Sequence, residues 1–139
     1  MESDEVVEKS NLLQKYPDFI DLEILDLGEF EGLRLSIGND LAFFDVVTTY
    51  IDSAEELIEL IKSTFADQDA NKFGLASHSL KSISTSIGAV RLSQISRHLE
   101  KASKTEKITV SLEILNLLSD EYTKVITAIK TSVIGFMPE

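Results

Sequence analysis

Residues 70–87 read ANKFGLASHSLKSISTSI and are followed by Gly88. Apolar residues recur in this stretch at spacings of three and four, which is typical of one face of an α-helix. These apolar positions are Phe73, Ala76, Leu80, Ile83 and Ile87. Glycine is common just after the last residue of a helix, because it adopts the left-handed conformation without steric cost. The stretch therefore predicts an amphipathic helix that ends at Gly88.

His78 lies on the polar face of this predicted helix. At about 100° per residue, its position on the helical wheel is almost opposite the direction of the apolar residues. Lys81 lies one turn further on, and small residues share the polar side. These small residues are Gly74, Ser77, Ser82 and Thr85. The pattern predicts an accessible imidazole beside a cation, although the wheel alone fits a surface histidine without a role at least as well.

The sequence on either side predicts three more long helices, over about residues 40–65, 89–103 and 109–133. Gly38-Asn39-Asp40 predicts a turn that supplies the N-cap of the first of them, and Asp67 or Asp69 would cap the 70–87 helix. Because the connections are short, neighbouring helices should be antiparallel. The predicted fold class is all-α, an antiparallel up-down four-helix bundle.

Residues 21–36 predict one or two short helices, interrupted at Gly28 and Gly32, which would cap one end of the bundle. Residues 5–15 are compatible with a further helical arm. The predicted organisation is an acidic N-terminal arm over residues 1–17, followed by one bundle domain over residues 18–137, as the chain length of 139 residues suggests.

Composition narrows the class of protein. The chain has no cysteine, which excludes disulfides and thiolate metal sites and agrees with a cytoplasmic location. No secretory signal and no membrane-spanning apolar run are apparent. A net charge of −11 disfavours nucleic acid and anionic lipid as partners. Residues 69–104, with two acidic and six basic residues, are the exception and would suit an acidic partner or simply a solvated helix face.

Residues 78–89, HSLKSISTSIGA, carry a family resemblance. They are similar to the signature of histidine phosphotransfer (HPt) domains, His-x-Leu-Lys-Gly-x-x-x-x-Leu-Gly-Ala. The identical positions are His78, Leu80, Lys81, Gly88 and Ala89. Ile87 is a conservative match, whereas Ser82 stands where the family usually has glycine. The resemblance extends over about residues 35–100.

The resemblance implies a four-helix bundle without enzymatic activity of its own. His78 would accept a phosphoryl group from the aspartate of one receiver domain and pass it to the aspartate of another. Lys81 would offset charge on the phosphoryl oxygens, and the small residues would leave room for the docked partner. The implied partners are response-regulator receivers and a hybrid sensor kinase. No cofactor is expected, because receivers bind Mg²⁺ themselves, and a monomer would suffice.

Glu100 is a candidate partner of His78. His78 precedes Gly88 by ten residues and His98 follows it by ten, so an antiparallel hairpin places both near one level, with Glu100 nearby. In the related phosphoacceptor domain of chemotaxis kinases, a glutamate on the next helix hydrogen-bonds the histidine, and Glu100 has the corresponding position. Alternatively, Glu100 pairs with Arg97, Lys101 or Lys104 at the surface. Two histidines without further ligands make an incomplete metal site, so none is predicted.

Two other functions remain open at this point. The chain would serve equally as the phosphoacceptor domain of a larger sensor or chemotaxis-type kinase, in which a kinase domain phosphorylates His78 from ATP. A helical adaptor that has lost the chemistry is the third candidate, although the presence of both His78 and Lys81 argues against it.

Overall fold

The computed structural model describes residues 12–135, and every regular element in that range is a helix. The all-α fold class is therefore confirmed. Residues 12–14 are helical, and six further helices follow. They are α1 (Pro17–Ile20), α2 (Leu27–Ile37), α3 (Asp40–Ala66), α4 (Ala70–Ile87), α5 (Val90–Ala102) and α6 (Leu112–Ile134).

The four long helices α3 to α6 form the bundle. Contacts join α3 to α4, α4 to α5, α5 to α6, and α6 back to α3, so the four helices close around a common interior. Tyr50 contacts Ser84, and the ring of Phe65 lies 6.3 Å from that of Phe73, so α3 and α4 run antiparallel. Among residues 12–135, no helix combines the length and hydropathy needed to cross a membrane.

The interior is filled by large apolar side chains from every long helix. Burying each such side chain contributes about 1.5–3 kcal/mol relative to leaving it in water. Those almost fully inaccessible in the bundle are Phe43, Ile61, Phe73, Leu80, Ile87, Leu92, Ile95, Leu99, Ile114, Leu117 and Leu118. Of the apolar positions predicted in α4, Phe73, Ala76, Leu80 and Ile87 are buried in this core, and Ile83 is partly buried against it.

The predicted helix ends are confirmed at α3 and α4. Asn39 accepts a hydrogen bond from the backbone N–H of Ala42, and Asp69 accepts one from that of Lys72. These side chains each satisfy an N–H group that the first turn of a helix leaves without a partner. At the other end of α4, Gly88 has φ +90°, the left-handed conformation expected of a glycine that ends a helix.

The segment before α3 covers one end of the bundle. α1 packs on α5, and α2 packs on α3 and α4. Arg91 on α5 donates to the carbonyl oxygens of Ile20 and Leu22 and pairs with the buried carboxylate of Glu121 at 3.1 Å. The Asp26 N–H donates to the Gly88 carbonyl oxygen at 2.8 Å. Charged and backbone hydrogen bonds therefore fix the capping segment to the turn between α4 and α5.

Two sequence-based expectations were wrong. Gly28 and Gly32 do not interrupt a helix, since both lie inside α2, whose N-cap is Asp26. The last helix begins at Leu112 rather than near Thr109. Thr109 is held in the preceding connection, because its N–H and its hydroxyl both donate to the Ala102 carbonyl oxygen at the end of α5.

The division into an arm over residues 1–17 and a domain over residues 18–137 stays a prediction. Residues 1–11 and 136–137 lie outside the described part of the chain, as does most of the predicted helical arm over residues 5–15.

Candidate functional site

His78 lies in the middle of α4 with 54% of its side chain exposed. The helix buries its opposite side, where Phe73 and Leu80 are inaccessible and Ala76 is 3% exposed. The apolar stripe therefore fixes the rotation of α4, and this rotation turns His78 outward. The imidazole position predicted from the wheel agrees with the structure.

Glu100 on α5 reaches across to α4 and contacts both functional candidates there. Its Oε2 lies 2.7 Å from His78 Nδ1, and its Oε1 lies 2.9 Å from Lys81 Nζ. The Glu100 side chain is 19% exposed and that of Lys81 is 27% exposed. Both oxygens of the Glu100 carboxylate thus contact side chains of α4. The alternative, in which Glu100 pairs with the cations of α5 or of the loop after it, is not what the structure shows.

These contacts favour the charged form of Glu100. Burial alone would raise the pKa of Glu100, but the hydrogen bonds from Lys81 and His78, together with their positive charge, outweigh it and hold the pKa below its ordinary value of 4.5. At neutral pH Glu100 is therefore a carboxylate, which only accepts hydrogen bonds.

The charge state of Glu100 in turn assigns the proton on His78. Because the carboxylate can only accept, His78 Nδ1 donates in their 2.7 Å hydrogen bond. In the neutral imidazole, Nε2 then carries the lone pair. The half-exposed ring thus presents an unprotonated nitrogen.

Two of the predicted small residues lie on the exposed face after His78. The Ser82 hydroxyl donates to the His78 carbonyl oxygen at 3.1 Å, so it is turned along its own helix. Thr85 donates to the Lys81 carbonyl oxygen at 2.8 Å, and its hydroxyl lies 2.6 Å from that of Ser93 on α5. Ser82 therefore presents a short polar side chain on the surface. Thr85 also connects α4 to α5 through its contact with Ser93.

The other two small residues differ from the prediction. Ser77 is fully buried, and its hydroxyl donates to the Phe73 carbonyl oxygen at 2.8 Å. It contributes no surface, so its assignment to a docking face was wrong. Gly74 is half-buried, and its missing side chain leaves space that is occupied by Ser103 at the end of α5.

A groove runs beside His78 toward the N-terminal end of α4. Its lining includes Asn71, Gly74, Leu75, Ser103 and Lys104. Apart from Gly74, the residues of this groove were not predicted from the sequence. The available signal was Leu75, an apolar residue outside the apolar stripe of α4, which the structure leaves 62% exposed.

His98 does not join the site. Its ring lies 6.0 Å from the rings of both Tyr16 and Phe19, with edge-on geometry, on the side of α5 that receives the N-terminal segment. Within residues 12–135 no group of three or more His, Cys, Asp or Glu side chains is placed to hold a metal ion.

Fold and site together define a helical bundle with a histidine-centred surface site. An all-α bundle presents a half-exposed imidazole on an open surface, with a carboxylate behind it and a lysine one turn away. This arrangement leaves the imidazole on an open face of α4.

A comparison of the sequence with known families shows the family of this chain. The model of the Hpt domain family matches residues 45–128, more than half of the chain. The chain belongs to the Hpt domain family, which places it among the phosphotransfer proteins of two-component phosphorelays. The family resemblance read from residues 78–89 is thereby confirmed. No curated protein sequence matches the chain.

Solved structures agree with this fold. Histidine-containing phosphotransfer protein B (HptB) from Pseudomonas aeruginosa PAO1 is similar with a TM-score of 0.73 and 18% identity, over 82% of this chain and 97% of that one. A putative histidine-containing phosphotransfer protein from rice has a TM-score of 0.68 and 18% identity, over 89% of each chain. At this identity the likeness concerns the fold alone.

Proposed function

We propose that the protein is a phosphorelay carrier in which His78 accepts a phosphoryl group from a receiver-domain aspartate and passes it to the aspartate of another receiver. The observation that carries this proposal is the 2.7 Å contact between His78 Nδ1 and Glu100 Oε2. It occupies one ring nitrogen and leaves Nε2 as the nucleophile on the exposed side of the ring.

The transfer step follows from this arrangement. The Nε2 lone pair forms a bond to phosphorus, while the bond from phosphorus to the aspartyl oxygen breaks and its electron pair returns to the aspartate carboxylate. The imidazole gains positive charge and keeps the proton on Nδ1. Glu100 accepts the hydrogen bond from that proton, so its negative charge stabilises the charge that develops on the ring.

Lys81 has the complementary role in this proposal. It lies one turn beyond His78 on α4, and its ammonium group stands 2.9 Å from Glu100 Oε1. An ammonium group so close to the imidazole offsets negative charge on phosphoryl oxygens carried by Nε2. Positioning and electrostatics supply most of the catalysis in phosphoryl transfer, so the bundle requires no further chemical group.

The partners in this proposal are receiver domains, including those of response regulators and of a hybrid sensor kinase. The two helices that carry His78 and Glu100 support docking of an acidic partner, because they and the turn after α5 carry exposed cations. These cations are Lys72, Arg97, Lys101 and Lys104. Ser82, Thr85 and the groove lined by Leu75 would contact the receiver.

The remaining expectations belong to the same proposal. The protein would act in the cytoplasm as a monomer, without a cofactor of its own and without kinase or phosphatase activity. Its net charge of −11 argues against nucleic acid and anionic membranes as partners.

One observation favours a second candidate function. The contact between Glu100 and His78 matches what the resemblance to the phosphoacceptor domain of chemotaxis kinases implies. In that alternative, His78 receives its phosphoryl group from ATP through a kinase domain of a larger sensor or chemotaxis-type kinase.

The test follows radiolabelled phosphate. A panel of receivers is phosphorylated, purified free of kinase, and mixed with wild-type protein, H78Q and the matched control H98Q. The carrier proposal expects label on wild type and H98Q but not on H78Q, followed by transfer to a second receiver. Label that arrives only from a histidine kinase with ATP supports the alternative. Label retained by H78Q would overturn both proposals.

A further inference from the structure

Gly74 and Ser103 meet where α4 and α5 approach each other next to the site. An ideal Cβ at Gly74 would lie 2.4 Å from Ser103 Oγ and 3.5 Å from Ser103 Cβ. The first distance is shorter than real Cβ contacts, whereas the second is ordinary van der Waals contact. The absence of a side chain at residue 74 therefore allows the end of α5 to lie against α4 with the Ser103 hydroxyl between them.

Ser103 is linked directly to the backbone of Glu100. It is the C-cap residue of α5, and its hydroxyl donates to the Glu100 carbonyl oxygen at 2.7 Å. The end of α5 is held from the other side as well, where Thr109 donates twice to the Ala102 carbonyl oxygen. A Cβ at residue 74 would therefore either turn the Ser103 hydroxyl away from Glu100 or force α5 away from α4.

A second pair of contacts fixes the same two helices on the other side of the site. The hydroxyls of Thr85 and Ser93 lie 2.6 Å apart, and Ser93 also donates to the Lys81 carbonyl oxygen at 3.3 Å. Glu100 reaches His78 between this contact and the Gly74–Ser103 contact. The separation of the helices at Glu100 is thus set at both ends.

We infer that Gly74 is a positioning residue: because it has no side chain, Ser103 and the end of α5 lie close against α4, and the Glu100 carboxylate stays at hydrogen-bond distance from His78 Nδ1. A displacement of a few tenths of an ångström to one ångström is enough to weaken a hydrogen bond of 2.7 Å. Without it, the tautomer equilibrium shifts toward the Nε2–H form, which the free histidine side chain prefers, and most molecules lose the nucleophilic lone pair on Nε2. The expected loss of phosphorylation rate rests on the role proposed for His78, whereas the expected change of tautomer does not depend on that role.

The test compares G74A, S103A, G74A/S103A and the control G32A. Gly32 is also inside a helix, but a Cβ there meets nothing within 4 Å. The control therefore carries the gain in helix propensity without a steric contact. In the double variant the added Cβ meets only the Cβ of residue 103 at the ordinary distance of 3.5 Å, so the helices regain their separation.

Two readouts are measured. The first is the ¹⁵N chemical shifts of the His78 ring nitrogens in the unphosphorylated protein as a function of pH, which report the tautomer. The second is the rate at which potassium phosphoramidate, a small donor that needs no docking surface, phosphorylates His78.

G74A is expected to shift the ¹⁵N signals toward the Nε2–H tautomer and to lower the phosphorylation rate roughly fivefold, the effect of one hydrogen bond. S103A, G32A and the double variant should stay near wild type in both readouts. Wild-type ¹⁵N shifts in G74A, or a double variant that does not recover, would overturn the inference. If the tautomer moves in G74A while wild-type His78 takes up no phosphoryl group, the positioning role stands and the proposed function fails.

Discussion

Glu100 Oε2 on α5 lies 2.7 Å from His78 Nδ1 on α4, so one hydrogen bond joins the two helices directly behind an exposed ring. Glu100 is largely buried at 19% exposure, whereas His78 is 54% exposed. The two ring nitrogens therefore differ, because Glu100 holds the proton on Nδ1 and Nε2 lies outside this hydrogen bond. This asymmetry distinguishes the two nitrogens before any partner binds.

Replacement of Glu100 by glutamine should slow phosphorylation of His78. The amide oxygen still accepts a hydrogen bond from Nδ1, but the negative charge that stabilises the phosphorylated ring is gone, and charge-assisted hydrogen bonds are about twice as strong as neutral ones. We expect the transfer rate from a receiver to fall roughly tenfold, the factor that about 1.4 kcal/mol gives. Rapid-quench kinetics measure this rate. An E100Q rate equal to that of wild type would contradict the role of the carboxylate.

Removal of the Lys81 charge should reduce the rate further. In K81M the phosphoryl oxygens lose their nearest cation and Glu100 loses one of its two partners, so we expect a fall of roughly 10- to 100-fold. K81R retains the charge and should recover part of the rate. K130M, which removes an exposed lysine of α6, is the matched control and should leave transfer unchanged. Equal rates for K81M and K130M would rule out this function of Lys81.

Acid should weaken the folded protein partly through Glu100. Because the pKa of Glu100 is lower in the folded state than its ordinary value of 4.5, its ionisation stabilises the fold above 4.5, and that contribution is lost as the pH falls through the folded-state value. Urea unfolding of wild type and E100Q at neutral pH and well below 4.5 measures the effect. The stability advantage of wild type over E100Q should shrink on acidification. An advantage that is independent of pH would show that ionisation of Glu100 is not linked to folding.

The four long helices were predictable because each has an apolar stripe that repeats at helical spacing, and α3 and α4 also begin at a capping side chain, Asn39 and Asp69. The level of Glu100 relative to His78 was also predictable, since His78 lies ten residues before Gly88 and Glu100 twelve residues after it. Ser77 was misassigned because a serine whose hydroxyl donates to the carbonyl four residues earlier can be buried without losing a hydrogen bond.

Other features depend on tertiary contacts that periodicity does not encode. Gly28 and Gly32 appeared to be helix breaks, yet the packing of α2 on α3 and α4 outweighs the roughly 1 kcal/mol that each glycine costs inside a helix. The groove at Leu75 and the Gly74–Ser103 contact require the distance between α4 and α5, which is set by side chains far apart in the sequence.

Gly88 should be far less tolerant of alanine than Gly32. Gly88 has φ +90°, and an added Cβ would lie 3.1 Å from the Asp26 carbonyl oxygen and 3.2 Å from Glu29 Cβ. The left-handed conformation alone costs an L-residue about 1–2 kcal/mol. We expect G88A to lower the free energy of unfolding by about 1–3 kcal/mol. G32A, with no neighbour within 4 Å, should raise it by about 0.5–1 kcal/mol.

Urea unfolding measures both free energies, and hydrogen exchange locates the strain. The Asp26 N–H donates to the Gly88 carbonyl oxygen at 2.8 Å, so a Cβ that pushes the capping segment away should speed exchange of this amide in G88A. The same amide should exchange at its wild-type rate in G32A, because a Cβ at residue 32 contacts neither Asp26 nor Gly88. If G88A is as stable as wild type and protects the Asp26 amide equally, then the close approach at this turn does not hold the capping segment on the bundle.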